Sequence, residues 1–246
     1  MDSTTNQSRN ERQALTTALK VLLACGIASS VLYVGGEVLA SVTRPGYSYV
    51  NQVVSELAAI GASTRPMMLA IFSVYNALVV AFAAGVWGAA RGKRSLQVSA
   101  VMLGVYAVVG EVTQLFSPMQ ARGSVMAATD VGHMVLTAVE VLSIVLMIAF
   151  ASGASGKGFR LYSIVTIVAL MAAGIAVGAQ SQHMTAAIAS TPWAGILERV
   201  NIYGTMLWVA ALATTLWNTC AGAAETVARR TATPSIAPRG TVNVVR

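Results

Sequence analysis

The sequence predicts an all-α polytopic membrane protein: a single bundle of six transmembrane helices, with a short interfacial helix in the first outer loop. Three observations predict it. Six apolar stretches fill most of the 246 residues, at roughly 20–40, 67–90, 96–116, 129–150, 160–180 and 196–219. Each is about 20 residues long, enough to cross a hydrocarbon core of ~30 Å at ~1.5 Å per residue. The chain is 56% hydrophobic and 10% charged, with a mean hydropathy of +0.68, whereas soluble domains are about 25% charged. Its basic residues crowd into every second connection, as in multi-pass proteins.

The first span follows a polar segment. Residues 1–19 cannot bury a core and are expected to be a disordered cytoplasmic N-terminus. Leu22-Leu23-Ala24-Cys25 resembles a lipoprotein cleavage box only loosely. Lys20 stands five residues before that cysteine and the apolar run continues past it, so a retained helix is expected. Cys25 and Cys220 are the two cysteines, too few for a disulfide scaffold or a cysteine zinc site.

The first outer loop opens on a turn signal, Arg44-Pro45-Gly46, followed by Tyr47, Ser48 and Tyr49. In 50–60, Val50, Val53, Val54 and Leu57 make one helical face, while Asn51, Gln52, Ser55 and Glu56 make the other. Gly61 is a fitting C-cap. The stretch is too short to span, so it reads as an interfacial or re-entrant helix over the bundle.

The remaining spans are ordered by their connections. Arg91, Lys93 and Arg94 separate spans two and three, and Lys157 and Arg160 separate four and five. Adding Arg9, Arg12, Lys20, Arg229, Arg230, Arg239 and Arg246 puts 12 of the 16 basic residues on one side. Arg44, Arg65, Arg122 and Arg199 fall on the other. The positive-inside rule makes the first side cytoplasmic, with both termini inside and the plasma membrane as the expected location. The net charge of +7 therefore has a topological cause, and no nucleic-acid partner is expected. Residues 20–219 form the transmembrane domain, and 220–246 are expected to be a disordered basic cytoplasmic tail.

The acidic residues lie mostly toward the opposite side. Of nine, Glu37, Glu56, Glu111, Asp130, Glu140 and Glu198 fall in the outer half or at mid-bilayer, as do His133 and His183. On span four, Asp130, His133, Thr137 and Glu140 repeat at helical spacing, and Glu140 is expected to face His133 and Thr137 rather than lipid. Glu198, Asn201, Thr205 and Trp208 repeat that spacing on span six, and Ser30, Tyr33 and Glu37 line up on span one. Lipid cannot satisfy such stripes, so they are expected to turn toward one outward-opening polar pocket. Its candidate binding residues are Ser55, Glu56, Glu111, Asp130, His133, Glu140, Glu198 and Arg199, with Arg199 as a counter-charge. The alternative is structural pairing, since polar contacts also join membrane helices at about 0.6 kcal/mol each.

Known site chemistries fit poorly. Catalytic zinc favours two or three histidines, and the chain has two in all, His183 sitting in a separate loop. Ser55 lacks the glycines of a nucleophile elbow. No phosphate loop or dinucleotide fingerprint is present. No metal or cofactor is therefore expected. The leading expectation is a non-enzymatic membrane protein that binds or moves a small molecule, a cation or proton, or a lipid head group. A membrane-embedded lipid hydrolase, with or without a metal, and a structural or accessory subunit are the alternatives. The expected partners are the lipid bilayer and a lipid or small-molecule ligand, and the sequence leaves the oligomeric state open.

Several segments also carry a family resemblance. Tyr47 through Asn51, then Val54-Ser55-Glu56-Leu57-Ala58 and Gly61-Ala62, resemble the first-loop signature of a bacterial and archaeal six-span family. That family is catalogued as domain of unknown function 998. Asp130-Val131-Gly132-His133 and Glu198-Arg199-Val200-Asn201 before Trp208 resemble it too. The resemblance covers about residues 20–219. It implies fold and topology, and no settled activity comes with it.

Overall fold

The computed structural model describes residues 2–180 and 191–232. His183 and tail residues 233–246 lie outside the described residues. Six long helices account for most of the remainder: α1 Asp2–Thr43, α2 Arg65–Ala89, α3 Arg94–Phe116, α4 Ala128–Ala151, α5 Gly156–Gly178 and α6 Ala194–Ala232. No strand occurs among the described residues. The segments long and apolar enough to cross a membrane are Gln13–Thr43, Arg65–Ala89, Arg94–Phe116, Ala128–Ala151, Gly156–Gly178 and Ala194–Gly222. They coincide with the six expected spans to within a few residues, apart from the first, which begins earlier.

Local chemistry sets the ends. Pro66 starts α2, where its missing N–H has no intrahelical acceptor to lose. The α2–α3 connection is tight because Arg91 and Gly92 both take left-handed conformations, at φ 47° and 82°. Only glycine adopts such a φ without strain, so Arg91 holds its turn at a cost.

Neighbouring helices pack in the order α4–α3–α2–α1–α6–α5, and α4 meets α5 only sparsely. The α1–α2 contact is close because Gly85 has no side chain. A Cβ there would sit 3.0 Å from the Leu22 backbone. Leu23, Phe82, Leu103, Met147, Ile148, Trp208 and Leu212 fill the interior. Polar side chains then join the helices. Ser99 donates to the Met147 carbonyl at 2.9 Å, and the Trp208 indole N–H donates to Ser163 Oγ at 3.0 Å.

The α6 stripe consequently serves a different purpose from the one expected. Trp208 faces Ser163 on α5. Asn201, with its amide turned to satisfy both atoms, donates to the Leu170 carbonyl at 2.7 Å and accepts from the Gly174 N–H at 3.0 Å. These residues fasten α6 to α5.

The first outer loop also differs from expectation. It holds one 3₁₀ turn, Val54–Ala58, and not an amphipathic interfacial helix. Val53, Val54, Leu57, Ala58 and Ala59 are buried as expected of an apolar face, but Glu56 is buried with them and Val50 is exposed. Helical periodicity fails because other loops and helices supply partners for the polar groups here. The chain no longer needs intrahelical bonds or a water-facing side.

Candidate functional site

Residues 44–64 form a cap over one end of the bundle. Pro45-Gly46 makes the turn that starts it, with Gly46 at φ 73°. The Tyr47 hydroxyl then donates to the Gln52 and Val53 carbonyls, each at 3.0 Å. Burial pushes this phenol well above its ordinary pKa, although Arg199 pulls the other way.

All four arginines expected on the outer side hold this cap. Arg44 donates to the Glu56 carbonyl and Arg65 to the Ala58 carbonyl. Arg122 forks onto the Glu56 carboxylate, with Nε to Oε2 at 3.0 Å and Nη2 to Oε1 at 2.5 Å. Arg199 donates to the Tyr49 carbonyl at 2.7 Å, and its guanidinium lies 3.5 Å from the Tyr49 ring centre. The four arginines on the minority side of the basic asymmetry therefore share a structural reason. Glycine permits the closest approach: a Cβ on Gly195 would stand 2.5 Å from the Tyr49 carbonyl oxygen.

Arg199 also forms the deepest ion pair. Its Nη2 lies 2.5 Å from Glu37 Oε1, and the two side chains are 3% and 0% exposed. Ser41 donates to Glu37 Oε1 at 2.7 Å, and Tyr203 donates to Oε2 at 2.5 Å. Every face of this carboxylate is thus met by a donor, as a buried charge requires.

The other candidate residues divide by partner. Asp130 caps a loop, accepting from the Gln120 N–H and the Ala127 N–H, each at 2.8 Å. His133 Nδ1 pairs with the Ser117 carbonyl at 3.0 Å. Glu56 and Asp130 both line a small recess with Met119, Gln120, Ala121, Arg122 and Ser124. Glu198 accepts from the Val54 N–H, and Ser55 Oγ donates to it at 3.4 Å. Glu111 accepts from Ser73 at 2.7 Å and Asn76 at 2.9 Å, both on α2. Glu140 accepts from Thr113 on α3 at 2.8 Å. The expected Glu140–His133–Thr137 grouping is therefore split: His133 turns to the end of α3 and Thr137 is exposed.

The geometry thus brings Ser55, Glu56, Glu198 and Arg199 together around the cap, with Asp130 adjoining. Glu111 and Glu140 are held separately on α3 and α4. Glu37, Tyr47, Tyr49, Arg122 and Tyr203 join the site without having been singled out as binding residues. Ser41, four residues after Glu37, is a local signal for the Ser41–Glu37 hydrogen bond alone. Among the described residues, no three His, Cys, Asp or Glu side chains are grouped to hold a metal ion.

One division is chemical. Among the described residues, Glu37 and Glu56 carry the ion pairs. Glu111, Glu140 and Glu198 have hydroxyl, amide or backbone N–H partners and no cation at ion-pair distance.

Six apolar helices, a buried charged cap and no strand among the described residues define a polytopic α-helical membrane protein. Within that class, residues 27–215 match the family described as Protein of unknown function (DUF998), and the chain belongs to it. No curated protein and no solved structure matches the chain significantly.

Proposed function

We propose that this protein binds a small cation, the proton included, at the span carboxylates Glu111, Glu140 and Glu198. The observation that carries this reading is that no cation stands at ion-pair distance from them among the described residues, against the Arg-paired Glu37 and Glu56. A carboxylate within a bilayer is costly unless a charge or a proton meets it, and such residues usually mark ion or proton sites. In this reading Glu56 and Arg199 hold the outer cap, Asp130 and His133 hold the neighbouring α3–α4 connection, and Ser55 orients Glu198. The hydrolase alternative would group a serine, a histidine and a carboxylate, whereas His133 pairs with the Ser117 carbonyl and does not join Ser55 and Glu198.

Melting of the purified protein tests this. At constant ionic strength, its melting temperature should change with pH or with one alkali or divalent cation, rising as the bound species is added. Ligand at 100 times its Kd adds about 2.7 kcal/mol to the folded state, a readily measured shift. Glu111→Gln, Glu140→Gln and Glu198→Gln should each reduce the dependence. A wild-type dependence in all three would count against the reading.

The same reading takes both termini as cytoplasmic and the cap as facing outward, in the plasma membrane. The 12-to-4 basic asymmetry supports this. A Lys93→Cys variant should resist a membrane-impermeant thiol reagent in intact cells and react after lysis. Labelling in intact cells would reverse the orientation.

A further inference from the structure

The spans carry polar groups at one further level that the cap does not use. Tyr33 lies ten residues from the outer end of α1, Tyr75 ten from that of α2, and Tyr106 ten from that of α3. Glu140 lies twelve residues from the outer end of α4, and Thr205 eleven from that of α6. At ~1.5 Å per residue these positions are about 15–18 Å deep, the middle of a ~30 Å hydrocarbon core.

Contacts between the rings agree with that count. The Tyr33 and Tyr75 ring centres are 5.0 Å apart, and the Tyr75 and Tyr106 hydroxyls are hydrogen-bonded at 3.0 Å. Tyrosine normally collects at membrane interfaces, where its hydroxyl meets water. Three phenols from three helices at mid-depth form a polar level that apolar packing does not require.

Two groups at this level have unused hydrogen-bonding capacity. Glu140 takes its one hydrogen bond, from Thr113, on Oε1, which leaves Oε2 without a partner among the described residues. Thr205 Oγ1 is buried with no partner among the described residues.

We infer that Glu140 is a mid-membrane proton-binding carboxylate and that the Tyr33–Tyr75–Tyr106 belt is its polar lining. This rests on the cation-binding reading above and names the cation at this position. Glu140 is not grouped with two further His, Cys, Asp or Glu side chains among the described residues, as a metal ion would favour. A proton needs a single open carboxylate oxygen. The titratable groups on the outer halves of these elements are Tyr106 and Glu111 on α3, Tyr75 on α2, Tyr33 and Glu37 on α1, and His133 and Asp130, seven and ten residues away, on α4 itself. On α5 the charged or titratable side chains, Lys157, Arg160 and Tyr162, lie near the inner end. Among the described residues, no cation on these elements stands at the belt's level to take the proton's place.

Infrared difference spectroscopy of the full-length protein in lipid nanodiscs, between acid and alkaline pH, tests the assignment. A protonated-carboxyl stretch that shifts in heavy water is expected. It should vanish in Glu140→Gln, move in frequency or pH midpoint in Glu140→Asp, and move in Tyr106→Phe. If Glu140→Gln fails to fold, the Asp and Phe variants still decide the matter. A carboxyl band unchanged in Glu140→Asp overturns the proton assignment. A band that moves in Glu140→Asp but not in Tyr106→Phe overturns the role of the belt. Either result, with cation-dependent melting intact, would leave the broader reading standing.

Discussion

Arg199→Leu is expected to reduce the folded protein severely, to a small fraction of the wild-type yield. Arg199 and Glu37 are 3% and 0% exposed, and their ion pair joins α6 to α1. Removing the arginine leaves a buried carboxylate without its charge partner, which costs about 3–5 kcal/mol. The same change removes the hydrogen bonds from Arg199 to the carbonyls of Tyr49 and Gln52, so the cap loosens as well. Two companions separate these effects. Glu37→Gln with Arg199→Leu should recover part of the loss, because no unpaired charge remains. Arg199→Lys should be intermediate, since it keeps the charge but loses the planar fork. Yield and melting temperature in detergent report all three. A wild-type-like Arg199→Leu protein would mean that the pair carries little of the stability.

Gly195→Val is the second large effect expected. Any Cβ at this position meets the carbonyl oxygens of Tyr49 and Gln52, with Arg199 Nη1 2.9 Å away. Those carbonyls are backbone and already accept from Arg199, so they cannot swing aside as a flexible side chain would. Overpacking costs about 1–3 kcal/mol, and a displaced cap would add the loss of its hydrogen bonds. Gly104→Ala is the control: no atom lies within 4 Å of its Cβ position, and alanine favours a helix interior by up to about 1 kcal/mol. The valine variant should melt well below wild type, and the Gly104 variant at or above it. Equal melting of the two would show that the cap tolerates displacement.

The spans were readable because each is a local property. Hydrophobic length decides a transmembrane helix within one stretch of chain, so α2 through α5 fall within a few residues of expectation. The cap was not readable as a shape. The polar residues of 50–60 match a helical face, but their partners come from far along the chain. Glu56 pairs with Arg122, 66 residues away, and Arg199 with Glu37, 162 residues away. Periodicity records which residues are polar and not which partner meets them, so the 3₁₀ turn and the Arg199–Glu37 pair had no local signature. The stripe on α6 shows the same limit: Asn201 and Trp208 turn inward as expected, but toward α5 and not toward a pocket. The tyrosine belt was legible in principle. Tyr33, Tyr75 and Tyr106 each stand ten residues from the cap-side end of a helix, a coincidence visible only once the ends are compared across spans.

The central claim is that Glu111, Glu140 and Glu198 bind a cation while the Arg-paired Glu37 and Glu56 hold the structure. The most direct measurement counts the protons and small cations taken up per protein molecule, at constant ionic strength, by wild type and by the Glu111→Gln, Glu140→Gln, Glu198→Gln triple variant. The account predicts that the folded triple variant takes up fewer than wild type, with the deficit confined to one species. Equal uptake by the two proteins would contradict it.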